Sequence, residues 1–281
     1  MTWSRAPLAR AGIAPEPATV DTLCRESNMR LFDLSGKTAF VTGSSQGLGC
    51  AIAQGLGEAG ARVVLNGRNA EKLEAARKSL EDKGLDARGY AFDIADEWGV
   101  TVGVERIEEE AGPIDILVNN AGINRRAPIE EFPTEDWRDI FGTNLDGMFF
   151  VSRTVGKRMV ERKRGKVINI ASLLSEAARP TITPYAASKG AVKMLTKGLA
   201  VEWAKHNIQV NAIGPGYFVT EMNKPLKADE AFDAWVRSKA PAGRWGEPRE
   251  LVGAAVFFAS AASDYVTGQV LYVDGGWLAN L

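Results

Sequence analysis

The sequence predicts one doubly wound α/β domain, a parallel seven-stranded sheet with helices on both faces. Three observations lead there. From Lys37 onward, short β-rich runs alternate with longer stretches of helical periodicity. The run Asp115-Ile116-Leu117-Val118-Asn119 is apolar at consecutive positions, the pattern of a strand covered on both faces. A glycine-rich turn, Gly43-Ser44-Ser45-Gln46-Gly47-Leu48-Gly49, follows the first strand-like run directly. Repeated β-α alternation implies a parallel sheet joined by right-handed crossovers.

The elements follow in order. Residues 38–42 read as the first strand, and the glycine turn opens a helix running to about residue 59. The second strand is 62–66, and a charged amphipathic helix spans 70–83, ended by Gly84. A third strand at 88–92 and a helix across 96–111 precede the buried strand at 115–119. Thr134 begins the next helix as its N-cap, and a further helix runs to about residue 162. Residues 166–171 are a strand, 185–205 a long helix and 208–213 a strand; 248–260 are a helix and 269–273 close the sheet. Between them, residues 223–235 are helix-prone, and Met222, Leu226, Phe232 and Trp235 read as packing residues. Met148, Phe149, Phe150 and Val151 read as core or subunit contact.

Composition narrows the function. The 281 residues carry 34 Lys plus Arg against 35 Asp plus Glu, a net charge of −1. Such a balance argues against nucleic acid or an anionic membrane as partner. Cys24 and Cys50 cannot build a disulfide scaffold, and no metal site of the usual Cys/His kind has enough ligands. The lone His206, at a helix end, reads as a surface cap, so acid/base chemistry is not expected to be histidine chemistry. The most apolar run, 254–259, is too short to span a bilayer. A cytoplasmic enzyme is expected. Residues 1–29 read as a tail ahead of a domain over 30–281. Glu16, Asp21 and Glu26 weaken a targeting-peptide reading of that tail, and Met29 offers an alternative natural start.

The glycine turn lies at the first β-α junction, where glycines let the backbone approach a pyrophosphate held at a helix N-terminus. Gly43, Ser45, Gln46, Gly47, Leu48 and Gly49 are therefore the candidate dinucleotide cradle, although glycine-rich turns also serve as plain connections. No Asp or Glu occurs between Arg62 and Ala70, whereas Arg68 is present. An arginine suits a ribose 2′-phosphate and a carboxylate suits a free 2′-hydroxyl, so NADP(H) is preferred and NAD(H) stays possible. The other reading of Arg68 is a solvated strand cap. Asp93, with Ile94 beside it, either binds the adenine or caps a turn.

Tyr185-Ala186-Ala187-Ser188-Lys189 puts a phenol and an ammonium on one helix face. A free tyrosine titrates near pH ~10, and a nearby fixed cation lowers that value towards use as a general acid or base. Ligands gather at the carboxyl ends of strands in open α/β sheets, where Gly43, Asn119, Ser172 and Pro215 lie.

These residues together resemble the short-chain dehydrogenase/reductase family over about 245 of the 281 residues. The resemblance rests on Thr42-Gly43-x3-Gly47-x-Gly49, Asn119-Asn120-Ala121-Gly122, Asn144, Ser172, Tyr185-x3-Lys189 and Pro215-Gly216, in the family's order and separations. It implies a Rossmann domain, a metal-free hydride transfer and a homotetramer built through two long helices and the last strand. It implies Tyr185 as general acid/base and Ser172 as hydrogen-bonding partner of the substrate oxygen. Lys189 would hold the nicotinamide ribose and depress the Tyr185 pKa, and Asn144 would hold a relay water. Asn120, Ala121 and Gly122 would line the cofactor, with Pro215, Gly216 and Thr220 contacting it, and residues 223–235 would form a mobile substrate lid, the alternative to packing for Met222, Leu226, Phe232 and Trp235.

Residues 119–128, with Arg125 and Arg126, and Leu173 to Arg179 after Ser172 resemble the gluconate 5-dehydrogenase branch, as do Gly214-Pro215-Gly216-Tyr217 and the ending Val273-Asp274-Gly275-Gly276-Trp277. The resemblance implies that Arg126 lies at the substrate end of the site; arginine suits capture of a carboxylate, with Glu176 or Ser175 accepting sugar hydroxyls. The competing reading leaves Arg125 and Arg126 as solvated charges and pairs Glu176 with Arg179. A sugar acid such as 5-keto-D-gluconate is the expected small-molecule substrate. The alternatives are a 3-oxoacyl-carrier-protein reductase and a catalytically silent dinucleotide-binding regulator.

Overall fold

Alternation along short strands decides which side of the sheet each side chain enters. In the first strand, β1 (Thr38–Val41), Ala39 and Val41 join one apolar cluster while Phe40 joins the cluster on the opposite face. The second strand, β2 (Arg62–Gly67), divides in the same way, with Val63 and Leu65 on one side and Val64 on the other. Both faces are dry, which is why these strands read as continuous hydrophobic runs.

These data come from a computed structural model that describes residues 28–280. The tail expected over residues 1–29 therefore lies, except for Asn28 and Met29, outside the described residues, as does Cys24. A compact unit begins at Leu31. Helix α1 (Gly47–Glu58) follows β1, and α2 (Ala70–Glu81) follows β2. They are succeeded by β3 (Ala87–Ala91), α3 (Glu97–Ala111) and β4 (Ile116–Asn119). Next come α4 (Thr134–Phe141), a π-helical turn (Gly142–Asp146), α5 (Gly147–Arg162) and β5 (Gly165–Ile170). Helix α6 (Thr183–Trp203) and β6 (Ile208–Pro215) complete the central layer. Two short helices, α7 (Lys224–Ala228) and α8 (Glu230–Lys239), precede α9 (Val252–Ala259) and β7 (Val270–Val273).

All seven strands are parallel, in the order β3-β2-β1-β4-β5-β6-β7. Sequence order reverses between β1 and β4, so the crevice outside their carboxyl ends is where a ligand is expected. The expected doubly wound seven-stranded sheet is the one observed.

Differences are local. Thr134 starts its helix but does not cap it; Pro133 occupies the N-cap position with no side-chain bond. The two expected helices over 134–162 join through the π turn, a feature that hydrophobic periodicity does not signal. The long helix begins at Thr183, and Pro184 fits its first turn because the missing N–H has no intrahelical partner there. Residues 248–251 form a 3-10 turn closed by reciprocal Glu247–Glu250 capping before α9 begins. His206, expected as a surface cap, ends a single 3-10 turn half-buried, and Asn207 is the C-cap residue there. Of the apolar run after Asn144, Met148 and Val151 are buried and Phe149 is exposed.

Candidate active site

The carboxyl ends of β1, β4, β5 and β6 open into one cleft of about 460 Å³. At its cofactor end, Gly43 and Gly47 adopt φ of +61° and +62°, which side chains disfavour. A Cβ on Gly43 would sit 2.7 Å from the Ala121 Cα, whereas one on Gly47 would meet nothing within 4 Å. The turn is thus pressed onto the segment that follows β4 on one side and open on the other. Thr42 Oγ1 accepts from the backbone N–H groups of Asn120 (3.0 Å) and Ala121 (3.1 Å). Asn120 Nδ2 donates back to the carbonyls of Thr42 and Gly43, both at 2.9 Å. Gln46, at the N-cap of α1, makes no side-chain cap, so the helix's first N–H groups are left for an anion. Ser45, Gln46, Leu48 and Gly49 line this end, with Asn120, Ala121 and Gly122 opposite and Pro215, Gly216 and Thr220 closing it.

Farther out, Arg68 Nη1 lies 3.4 Å from Asp93 Oδ2. Asp93 Oδ1 accepts from the Ala95 backbone N–H at 3.0 Å, so Asp93 caps a turn and also faces Arg68. Ile94 lines the cleft beside them. These residues fit a phosphorylated dinucleotide: a glycine turn open to the cleft, an uncapped helix start, and an exposed guanidinium at the far end.

At the catalytic end, Ser172 caps a 3-10 turn, its Oγ accepting from the Leu174 N–H at 3.1 Å. That leaves the hydroxyl proton available for an oxygen in the cleft. Lys189 is almost wholly buried, and its Nζ donates to the Ile170 carbonyl at 2.6 Å. Two of its three donors are left over. Burial lowers its pKa from 10.5 to about 8. Burial pushes the Tyr185 phenol up to about 12, with the Ser172 hydroxyl and the Arg126 guanidinium pulling it down. The expected depression of Tyr185 by Lys189 is therefore not what this arrangement gives. Lys189 Nζ stands 5.7 Å from the ring centre and is itself desolvated.

Asn144 sits in the π turn with its side chain buried and engaged. Its Oδ1 accepts from the Ile123 N–H at 2.8 Å, and its Nδ2 donates to the Ile123 carbonyl (3.0 Å) and Ser188 Oγ (3.1 Å). These bonds fasten the 122–124 segment to α6. Below it, Asn119 donates to Ser152 and Asn169, and Asn169 donates to Thr196, each at 2.9 Å.

The substrate end corrects the sequence reading. Glu176 does not reach the cleft: it pairs with Lys193 and accepts from the Tyr272 hydroxyl at 2.7 Å. It therefore cannot receive sugar hydroxyls, nor does it pair with Arg179. Ser175 is turned away as well, its hydroxyl donating to the Lys189 carbonyl at 2.9 Å. The two consecutive arginines part company. Arg125 lies 3.6 Å from Asp136, while Arg126 enters the cleft beside Tyr185 and Tyr217. Sequence reasoning missed Tyr217 and Arg179, which also line the cleft. Glu176, three residues before it in the chain, hid the role of Arg179, because distance along a loop says nothing of direction.

A family model described as Enoyl-(Acyl carrier protein) reductase matches residues 43–278. A gluconate 5-dehydrogenase of Gluconobacter oxydans (strain 621H) is 54% identical over 255 residues, 91% of this chain and 100% of that protein. The chain is a short-chain dehydrogenase/reductase. Within that family it is also similar to a 5-keto-D-gluconate 5-reductase of Escherichia coli (strain K12), 55% identical over 248 residues, 88% of this chain and 98% of that protein. Among solved structures, a gluconate 5-dehydrogenase from Burkholderia cenocepacia J2315 in complex with NADP and tartrate has a TM-score of 0.88 at 50% identity. That similarity covers 90% of this chain and 99% of the other. The family expected from the glycine turn, Ser172 and the Tyr185–Lys189 pair is thus the one found, in its gluconate 5-dehydrogenase-like branch. Among the described residues no helix is long and apolar enough to cross a membrane.

Proposed function

We propose that this short-chain dehydrogenase/reductase is an NADP(H)-dependent gluconate 5-dehydrogenase, interconverting gluconate and 5-keto-D-gluconate. One observation carries the reading: Ser172, Tyr185, Lys189 and Arg126 meet at one end of a cleft whose other end holds the glycine turn and Arg68. The similarity to gluconate 5-dehydrogenases over nine-tenths of the chain supports it.

When bound, NADP(H) supplies or accepts the hydride. The chain's own residues do the rest. N–H groups at the start of α1 would hold the pyrophosphate, and Arg68, now facing Asp93, would pair with the 2′-phosphate. The two spare donors of Lys189 would fix ribose hydroxyls, and Asn144 keeps the 122–124 segment in place. Ser172 Oγ donates to the C5 oxygen of the substrate. Tyr185, neutral at pH 7 because its pKa is about 12, gives its proton to that oxygen as negative charge builds there. In the oxidative direction the Tyr185 phenolate oxygen takes the proton of the substrate hydroxyl, and the Arg126 charge stabilises that phenolate.

Absorbance at the NADPH band, with 5-keto-D-gluconate, simple ketones and acetoacetyl thioesters as alternative substrates, tests this. Consumption with the keto-acid is the expected result. Activity confined to the thioesters would move the protein to the acyl-carrier reading, and none at all to the regulator reading.

Self-association as a homotetramer belongs to the same proposal. Trp98 and Val102 on α3, Phe149 on α5, Met194 and Val201 on α6 and Leu271 on β7 are large apolar side chains left exposed. They lie on the long helices and the last strand, where a subunit contact would cover them. A cytoplasmic location fits the near-neutral charge and the absence of a membrane-crossing helix among the described residues.

A further inference from the structure

Arg179 is held in an unusual way. Its guanidinium carbon lies 4.9 Å from the Phe232 ring centre and 5.9 Å from that of Trp235, both on α8. Those rings belong to an aromatic cluster in which Tyr217 packs edge-on against Phe232 at 5.7 Å and against Trp235 at 6.0 Å. Stacking over a ring face orients a guanidinium without consuming its N–H donors. Two of the nitrogens, Nε and Nη2, are shielded from solvent and have no hydrogen-bond partner among the described residues. Shielded charged donors are costly to leave unpaired, so a site that keeps them is waiting for an acceptor.

A second observation says what kind. The loop carrying Arg179 is tied to the loop carrying Arg126 by the Ala127 N–H, which donates to the Thr181 carbonyl at 3.1 Å. Thr181 adopts φ of +70°, a strained conformation for a β-branched residue. Burial first, and the Arg179 guanidinium second, disfavour the charge on Arg126, and the groups acting on Arg126 include no carboxylate. Glu221, which also lines the cleft, is paired with Lys224. Two like charges side by side, without an acid to balance them, require an anion from outside.

We infer that Arg179, laid on the Phe232–Trp235 face, joins Arg126 in gripping the carboxylate of the substrate and so determines its specificity for acids over neutral ketoses. The inference rests on the proposed function for the identity of that acid, but the paired-arginine site stands on its own geometry. Arg126, next to Tyr185, holds the inner side of the carboxylate. Arg179 holds the outer side, and its aromatic support belongs to α8, so carboxylate capture also fixes α8 against the cleft. A neutral ketose leaves both guanidinium groups unpaired and is disfavoured for that reason.

The test compares wild type with Arg179→Met, which keeps length and apolar stacking, and with Arg179→Lys, which keeps the charge but loses the planar fork. Steady-state kinetics use NADPH with 5-keto-D-gluconate and with its neutral counterpart, a ketose bearing CH2OH in place of the carboxylate. Arg179→Met is expected to lower kcat/KM for the acid at least tenfold more than for the neutral ketose. The loss should fall mainly in KM, with the NADPH KM unaltered and partial recovery in Arg179→Lys. Equal losses on the two substrates, or no rise in KM for the acid, would overturn the inference. Tartrate binding to the NADP-loaded enzyme gives a readout independent of turnover, at least tenfold weaker in Arg179→Met. If wild type binds tartrate but does not reduce 5-keto-D-gluconate, the substrate assignment fails while the anion site survives. If tartrate binds both forms equally, the anion site fails whatever the substrate. Should Arg179→Met not fold, Arg179→Lys carries the same comparison, and equal tartrate affinity there and in wild type would overturn the inference.

Discussion

Tyr185 illustrates how burial and partners compete at a single residue. Desolvation drives its pKa to about 12, so the proton stays on the phenol until a substrate oxygen with growing charge draws it off. Replacing it with Phe keeps the ring and the packing but removes that proton. Turnover should fall by about 10²–10⁴-fold, while NADPH binding, followed by fluorescence titration, stays within about twofold. Lys189 tells the converse story. Its folded-state pKa of about 8 lies below the ordinary 10.5. Between those values the unfolded chain binds more of this proton than the folded one does, so stability rises with pH across that window. Below about pH 8 the whole penalty of the buried ammonium persists. Cofactor-free wild type should therefore gain on the order of 2 kcal/mol relative to Lys189→Met between pH 8 and 10, read from urea melts at the two values. A flat difference would mean that the ammonium is better solvated than its surroundings indicate.

At the scale of elements, the turn from β1 into α1 is the least tolerant part of the site. Gly43→Ala meets the Ala121 backbone at 2.7 Å and adds the strain of a positive φ. It should cost about 1–3 kcal/mol in thermal or chemical unfolding and weaken NADP binding in parallel. The sequence made this turn legible because glycine spacing states a backbone requirement directly. The strands were equally legible, since Ala39/Val41 and Phe40 segregate by simple alternation. What escaped was anything depending on direction in space. Thr134 has the composition of a cap, yet the chain enters α4 through Pro133. Glu176 and Arg179 sit three positions apart on one loop and leave it in different directions, one towards Lys193 and Tyr272 and the other towards α8. Tyr185 and Lys189 were found by their helical spacing, but the source of electrostatic help for the phenol was misplaced. Only packing reveals that Lys189 spends a donor on Ile170 while Arg126 comes in from another loop.

For the molecule as a whole, the two apolar layers leave a surplus. Val201 on α6 is 81% exposed and Trp98 on α3 is 74% exposed, apolar surface that the proposed subunit contact would cover. The double change Phe149→Asp with Val201→Lys should turn a tetramer into smaller species in light scattering after size-exclusion chromatography. Monomer-sized wild type, or an unmoved variant, would remove the tetramer from the proposal. The sheet itself should tolerate these exposed changes, because its stability comes from the interleaved cores on either side of β1 to β6.

The π turn at Gly142–Asp146 carries a consequence for how this chain can change over generations. A π turn holds one residue more per hydrogen-bonded ring than an α turn. Loss of a single codon there would give a more regular helix from Thr134 to Arg162, a change that local energetics favours. The same loss would swing Asn144 away from Ile123 and Ser188 and release the segment that runs beside Lys189. The irregularity is therefore a place where improving the helix and keeping the site are opposed, and only lineages that need the site have reason to retain it.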